Sequence, residues 1–99
     1  MRVLIAKRAQ RQIDRIATWW HAHRDKAPER FESELDRAKA FLQATPKLAR
    51  VHIVRGSRVV HWLLLPKTKV KLYFWVDGEA DVVHVVSAWG GRRGSEPKL

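Results

Sequence analysis

The sequence predicts an α+β domain. A two-helix antiparallel hairpin packs on one face of a twisted, mainly antiparallel sheet of about four strands, in the order β-α-α-β-β-β. Three observations predict it. In the first half, apolar residues recur at helical spacing in two separate stretches. In the second half the pattern changes to alternation, in stretches rich in Val, Leu and aromatic residues. Breakers stand between the stretches, at Pro28, Pro46, Pro66 and Asp77-Gly78.

Residues 2–6 alternate weakly and suit a short opening strand. From Lys7 the period lengthens: Ala9, Ile13, Ile16 and Trp20 form one apolar stripe. Arg8, Arg11 and Arg15 fall together on the opposite face, which reads first as a solvated helix surface. Trp19 lies off the stripe, capped by the second helix or left to anchor a partner. The helix ends at residues 21–24. Pro28 suits the first turn of the next helix, and Glu29 is favourable at its N-terminal dipole.

Phe31, Leu35, Ala38 and Leu42 make the second stripe, with Phe41 beside it, and Thr45-Pro46 stops it. Residues 50–57 are ambiguous. His52-Ile53-Val54 reads as strand, whereas Arg55-Gly56-Ser57 reads as turn. Residues 58–65 are a strand ended by Pro66, and residues 69–76 are the next. Asp77-Gly78-Glu79-Ala80 is a hairpin turn with glycine available for positive φ. Residues 81–88 are the last strand. In the strand of residues 69–76, Val70, Leu72, Phe74 and Val76 point one way, onto the helices. Lys69, Lys71, Tyr73 and Trp75 point the other way, making a basic and aromatic face with Trp75 exposed.

The chain has 99 residues, enough for one domain spanning residues 1–99 and able to bury its own core. It has no cysteine, which excludes a disulfide framework, a thiol nucleophile and a cysteine zinc site. The opening residues become charged too quickly for a signal peptide. No apolar run approaches the roughly 20 residues of a membrane helix, so no membrane partner is expected. Twenty Lys and Arg against ten Asp and Glu give a net charge of +10. Such an excess is self-repulsive in the free protein and favours a polyanionic or acidic partner.

A set of features in a fixed order resembles the RelE/ParE superfamily of small bacterial toxins. It comprises Ala9 near the first helix start, Trp19-Trp20 near its end and Pro46 after the second helix. It continues with Leu65-Pro66-Lys67-Thr68, the strand Lys71-Leu72-Tyr73-Phe74-Trp75-Val76, and Trp89-Gly90-Gly91-Arg92-Arg93-Gly94 running to Pro97-Lys98-Leu99. The resemblance covers nearly the whole chain; the order carries it rather than any single motif. It implies the toxin of a type II toxin–antitoxin system, a class tied to growth arrest and plasmid stabilization. It also implies a cytoplasmic protein without cofactor, neutralised by a cognate antitoxin.

The family divides by target. RelE-like members are ribosome-dependent, metal-independent mRNA endoribonucleases. ParE-like members perform no chemistry and inhibit DNA gyrase. Carried over residue by residue, the nuclease set is incomplete. Lys71 matches a basic strand position, and Arg92 or Arg93 matches the C-terminal arginine. Where a basic pair is expected, the chain offers His61 and then Trp62-Leu63-Leu64-Leu65. The terminal Tyr or His falls near Pro97-Lys98, and neither is an ordinary proton shuttle. The nuclease alternative would rest on Lys71, Arg92, Arg93 and His61. The departures favour the ParE-like branch, with target- or antitoxin-binding residues Arg58, Lys67, Lys69, Lys71, Tyr73, Trp75, Arg92 and Arg93. A further alternative is a non-toxic basic nucleic-acid-binding module, although the helices carry no helix-turn-helix signature.

The remaining histidines point to no site. His61 and His84 would make an acid/base pair only if neighbouring strands brought them together; two unrelated half-buried histidines is the simpler reading. His21 and His23 are two apart, the wrong spacing for one metal on a helix, so no metal is expected.

Overall fold

The computed structural model describes residues 1–23, 29–44, 46 and 50–90, with the side chains of 50–53 and 55 left out. The elements are β1 (Arg2–Ile5), α1 (Lys7–His23), α2 (Arg30–Ala44), β2 (Arg50–Arg55), β3 (Arg58–Leu65), β4 (Val70–Asp77) and β5 (Val82–Trp89). The expected α+β architecture is present: a helix hairpin on a mainly antiparallel sheet. The sheet has five strands, in the order β1-β5-β4-β3-β2. The pairs β2/β3, β3/β4 and β4/β5 are antiparallel, and β1 lies parallel to β5.

The additional strand is the ambiguous segment. β2 pairs with β3 from Arg50↔Trp62 to Arg55↔Arg58, and Gly56-Ser57 forms the two-residue turn between them. Gly56 has φ +59, the left-handed value that hairpin turns demand and that only glycine adopts without strain. The turn at residues 77–80 differs from expectation. There the left-handed residue is Asp81 (φ 57), not Gly78, while Asp77 Oδ1 accepts the Ala80 N–H at 3.1 Å. Lys69 is also left-handed (φ 62). It belongs to the β3–β4 turn, so β4 begins one residue later than the alternation implied.

Both helices lie on the same face of the sheet, α1 mainly on β5 and α2 reaching β1 and β3. The stripes are the contact surface. Ala9, Ile13 and Trp20 of α1 are buried, and Ile16 is only partly so. Phe31, Leu35, Ala38 and Leu42 of α2 are all buried. One cluster joins Ile13, Trp20, Phe31, Leu35 and Ala38 to Leu65, Val70, Leu72 and Ala88. A second joins Ala9 and Leu42 to Phe74, Val83 and Val85. Trp19 packs beside the first cluster, edge-on to Trp20 at 5.7 Å and stacked on His23 at 4.8 Å.

Two side chains from the helices close gaps in the backbone pairing. β1 ends at Ile5, and its last link to β5 is the Ala6 N–H donating to the Val85 carbonyl at 2.9 Å. A bulge follows, because Tyr73 pairs with Ser87 but Phe74 with Val85, leaving Val86 as the extra residue. Beyond it, Gln12 of α1 takes over. Its Oε1 accepts the Ala88 N–H at 2.9 Å and the Ser87 hydroxyl at 3.1 Å. Ser87 is fully buried, and this bond satisfies its hydroxyl.

Glu34 of α2 does the same at the β3–β4 turn, toward the same end of the strands as Ala88. It sits on the apolar side of its helix and is buried. Its two carboxylate oxygens accept the N–H groups of Lys67 and Thr68, each at 2.8 Å. Successive backbone N–H groups make a concavity suited to an anion, and Glu34 fills it from inside the protein. The turn is closed by the Lys69 N–H donating to the Leu65 carbonyl at 2.8 Å.

Candidate functional site

The face of the sheet away from the helices holds Arg58, Lys71, Tyr73 and Trp75, four of the eight residues that the sequence singled out for binding. Register and alternation bring Lys71, Tyr73 and Trp75 of β4 to it. From β3 come Arg58, Val60, Trp62 and Leu64, and from β5 comes His84, which pairs with Trp75. β4 is the central strand of the five, so this row crosses the middle of the sheet.

Trp75 is contacted from both neighbouring strands. The His84 ring stacks on it with centroids 4.3 Å apart and planes 15° from parallel. The Arg58 guanidinium carbon lies 4.2 Å from the Trp75 ring centroid. At the other end of β4, the Lys71 ammonium lies 4.8 Å from the Trp62 ring. Each cation over a ring contributes about 0.5–1 kcal/mol at an exposed site. Their greater effect here is geometric: two flexible side chains are laid along the sheet instead of extending into water. The result is a preformed surface of alternating cation and aromatic.

Three expected members of this face behave differently. Trp75, expected to be exposed, is only partly so, because Arg58 and His84 cover its ring. Tyr73 shares the alternation but is only 1% exposed, between Trp62 and Ser87 in the register. It therefore underlies the surface and offers a partner no contact area. Lys69 has its side chain exposed, but in the β3–β4 turn rather than on the strand. Lys67 is exposed in the same turn. Both lysines are thus presented by the loop that the Glu34 carboxylate holds. Leu4 of β1, opposite His84 in the register, adds an exposed aliphatic side chain.

The nuclease constellation does not assemble among the described residues. His61 pairs with Phe74 and stacks on its ring at 5.3 Å, and Phe74 belongs to the core under the helices. His61 therefore lies on the face opposite Lys71. The two histidines also fail to pair, because β4 separates β3 from β5 and the two rings occupy opposite faces. His84 stands beside Trp75, four residues along β4 from Lys71, which is about 13 Å of strand. Arg92 and Arg93 lie outside the described residues.

A hollow of about 270 Å³ opens between α2 and β3, lined by Phe41, Leu63, Leu65 and Pro66 together with Arg37 and Glu34. Its one carboxylate is already bound to the two turn amides. It offers apolar surface and no acid–base pair.

Sequence reasoning missed Glu34, Gln12 and the place of His84 beside Trp75. Glu34 had a readable signal: it stands three residues after Phe31 and next to Leu35, an acid inside an apolar stripe. Gln12 and His84 had none, since both depend on strand order and on the bulge. No family's sequence profile matches this chain, and no curated protein sequence matches it.

Proposed function

We propose that this domain is the toxin of a type II toxin–antitoxin pair of the RelE/ParE kind. It arrests bacterial growth by binding DNA gyrase in the cytoplasm, and a cognate antitoxin protein neutralises it. The observation that carries the reading is the sheet face on which the Arg58 guanidinium and the His84 ring both pack on Trp75, with His61 on the opposite face from Lys71. Aromatic and Arg side chains dominate protein interface hot spots. Metal-free RNA cleavage instead needs a group to take the 2′-hydroxyl proton and an acid for the leaving oxygen, both within hydrogen-bond reach of the phosphate. A face built of Arg and aromatic side chains is suited to binding. The net charge of +10 adds fast, salt-sensitive association with an acidic antitoxin.

The test is induced expression in bacteria with two parallel readouts, a DNA damage reporter and mapping of mRNA ends. Growth arrest with a damage response and intact mRNA supports the reading. Arrest should be lost in the Arg58→Ala/Trp75→Ala protein. Codon-positioned mRNA cuts that require purified toxin and ribosomes, and that vanish in Lys71→Ala, would replace it with the nuclease. Growth that continues normally without antitoxin would remove both.

A further inference from the structure

We propose that the outward ridge of α1 is a second binding surface, which holds the phosphate backbone of double-stranded DNA without reading its sequence. Lys7, Arg8, Arg11 and Arg15 are all exposed and fall within one arc of the helix, diametrically opposite the buried Ile13. Lys7, Arg11 and Arg15 follow each other at four-residue steps, a rise of about 6 Å each. Neighbours at this spacing face one another, and like charges there repel.

The placement is unfavourable for the helix itself. Its first turn contains no acidic residue and begins Lys-Arg, so two cations stand at the positive end of the helix dipole. Asp14 is the one acid in α1, and it accepts a hydrogen bond from Gln10 at 2.9 Å. Lys7, Arg11 and Arg15 make no ion pair among the described residues. A helix whose charges oppose both its dipole and each other is poorly designed as a solvated surface. It is well designed to meet a dense array of negative charge.

The side chains select the kind of polyanion. The one aromatic next to the ridge is Trp19, four residues on from Arg15, and it packs against the first apolar cluster and on His23 instead of standing outward; Thr18 and Ala22 continue the arc. Protein interfaces draw on aromatic anchors, and single-stranded nucleic acids on stacking platforms. Both features lie on the opposite side of this molecule, on the sheet. The phosphate rows of B-DNA border a wide groove that lets a helix lie against them, whereas those of A-form RNA close over a deep, narrow one. A convex row of cations without aromatics thus matches the duplex DNA backbone. This proposal does not rest on the gyrase reading, and its test needs no gyrase.

The experiment is fluorescence anisotropy with a labelled random-sequence DNA duplex, titrated at several salt concentrations against single-stranded DNA and duplex RNA of equal length. Wild type should bind the DNA duplex most tightly. The Arg11→Ala/Arg15→Ala protein should bind it about tenfold or more weaker, with the slope of log K on log salt reduced by about two. Arg30→Ala/Arg37→Ala, which removes the same charge from α2, should lose much less. Arg11→Glu sets a carboxylate four residues from both Lys7 and Arg15. It should therefore keep or raise the thermal midpoint while losing DNA affinity, which separates binding from folding. Equal losses in the α1 and α2 variants would reduce the effect to net charge and overturn the proposal. Unchanged affinity in the α1 variants, or binding of single strands or RNA as tight as duplex DNA, would overturn it too.

Discussion

Replacing Glu34 tests whether one buried carboxylate holds the β3–β4 turn in place. Both oxygens accept backbone N–H groups at 2.8 Å, from Lys67 and Thr68, and the residue is only 7% exposed. A hydrogen bond to a charged group contributes about 1.5–3 kcal/mol. The turn lies at the surface, and water can reach the freed amides once the side chain is gone. The low end of each value therefore applies, and Glu34→Ala should cost roughly 2–4 kcal/mol in all. In a domain of this size that lowers the melting temperature by roughly 10–25 °C. Glu34→Gln separates electrostatics from packing, because it keeps the volume. Its amide oxygen can accept one N–H, but its NH₂ meets the other donor to donor, so at least half the loss should remain. The assays are thermal and urea unfolding, with amide hydrogen exchange at Lys67 and Thr68 followed by NMR. Both amides should be protected in the wild type and exchange freely in Glu34→Ala. A loss below about 0.5 kcal/mol, or unprotected amides in the wild type, would refute the reasoning.

Two other outcomes follow from the packing. Leu35→Ala should destabilise by about 2–5 kcal/mol, since the side chain is buried between the helices and the sheet; a near-unchanged urea midpoint would place it outside the core. Trp75→Ala should move the His84 ring-proton resonances downfield, because the indole stacked at 4.3 Å shields them. Resonances that stay where they were would mean that the stack does not persist in solution.

The helices were legible because their information is local. A stripe at helical spacing names the buried face without knowledge of the rest of the fold, and all four stripe residues of α2 are buried. The strand β2 was legible only in part, as His52-Ile53-Val54. Its pairing slips between Val51 and Ile53, and such a shift breaks the alternation that identifies a strand. Alternation put Lys71, Tyr73 and Trp75 on one face but could not rank their exposure. The burial of Tyr73 depends on the strands beside it, which sequence spacing does not order. The same gap governs the histidines. Whether His61 and His84 meet depends on β4 lying between β3 and β5, a property of the whole sheet. Lys69 shows the limit at finer scale: one residue in a left-handed conformation moves the start of a strand and changes where its charge is presented.

The parallel pairing of β1 with β5 bears on synthesis. Arg2 pairs with Val82, so the contact spans eighty residues of chain. During translation at about 5–20 residues per second, β1 waits several seconds for its partner. Until then Val3 and Ile5, which pack on the finished core, have no strand beside them, and Ala9 and Leu42 lack Val83 and Val85. The nascent chain therefore cannot complete its second apolar cluster before almost all of the domain has left the ribosome. The sheet face around Trp75 needs His84 of the same last strand, so that face and the finished fold arrive together. A truncated translation product that stops before β5 would lack both, and would be a substrate for proteases rather than a folded fragment.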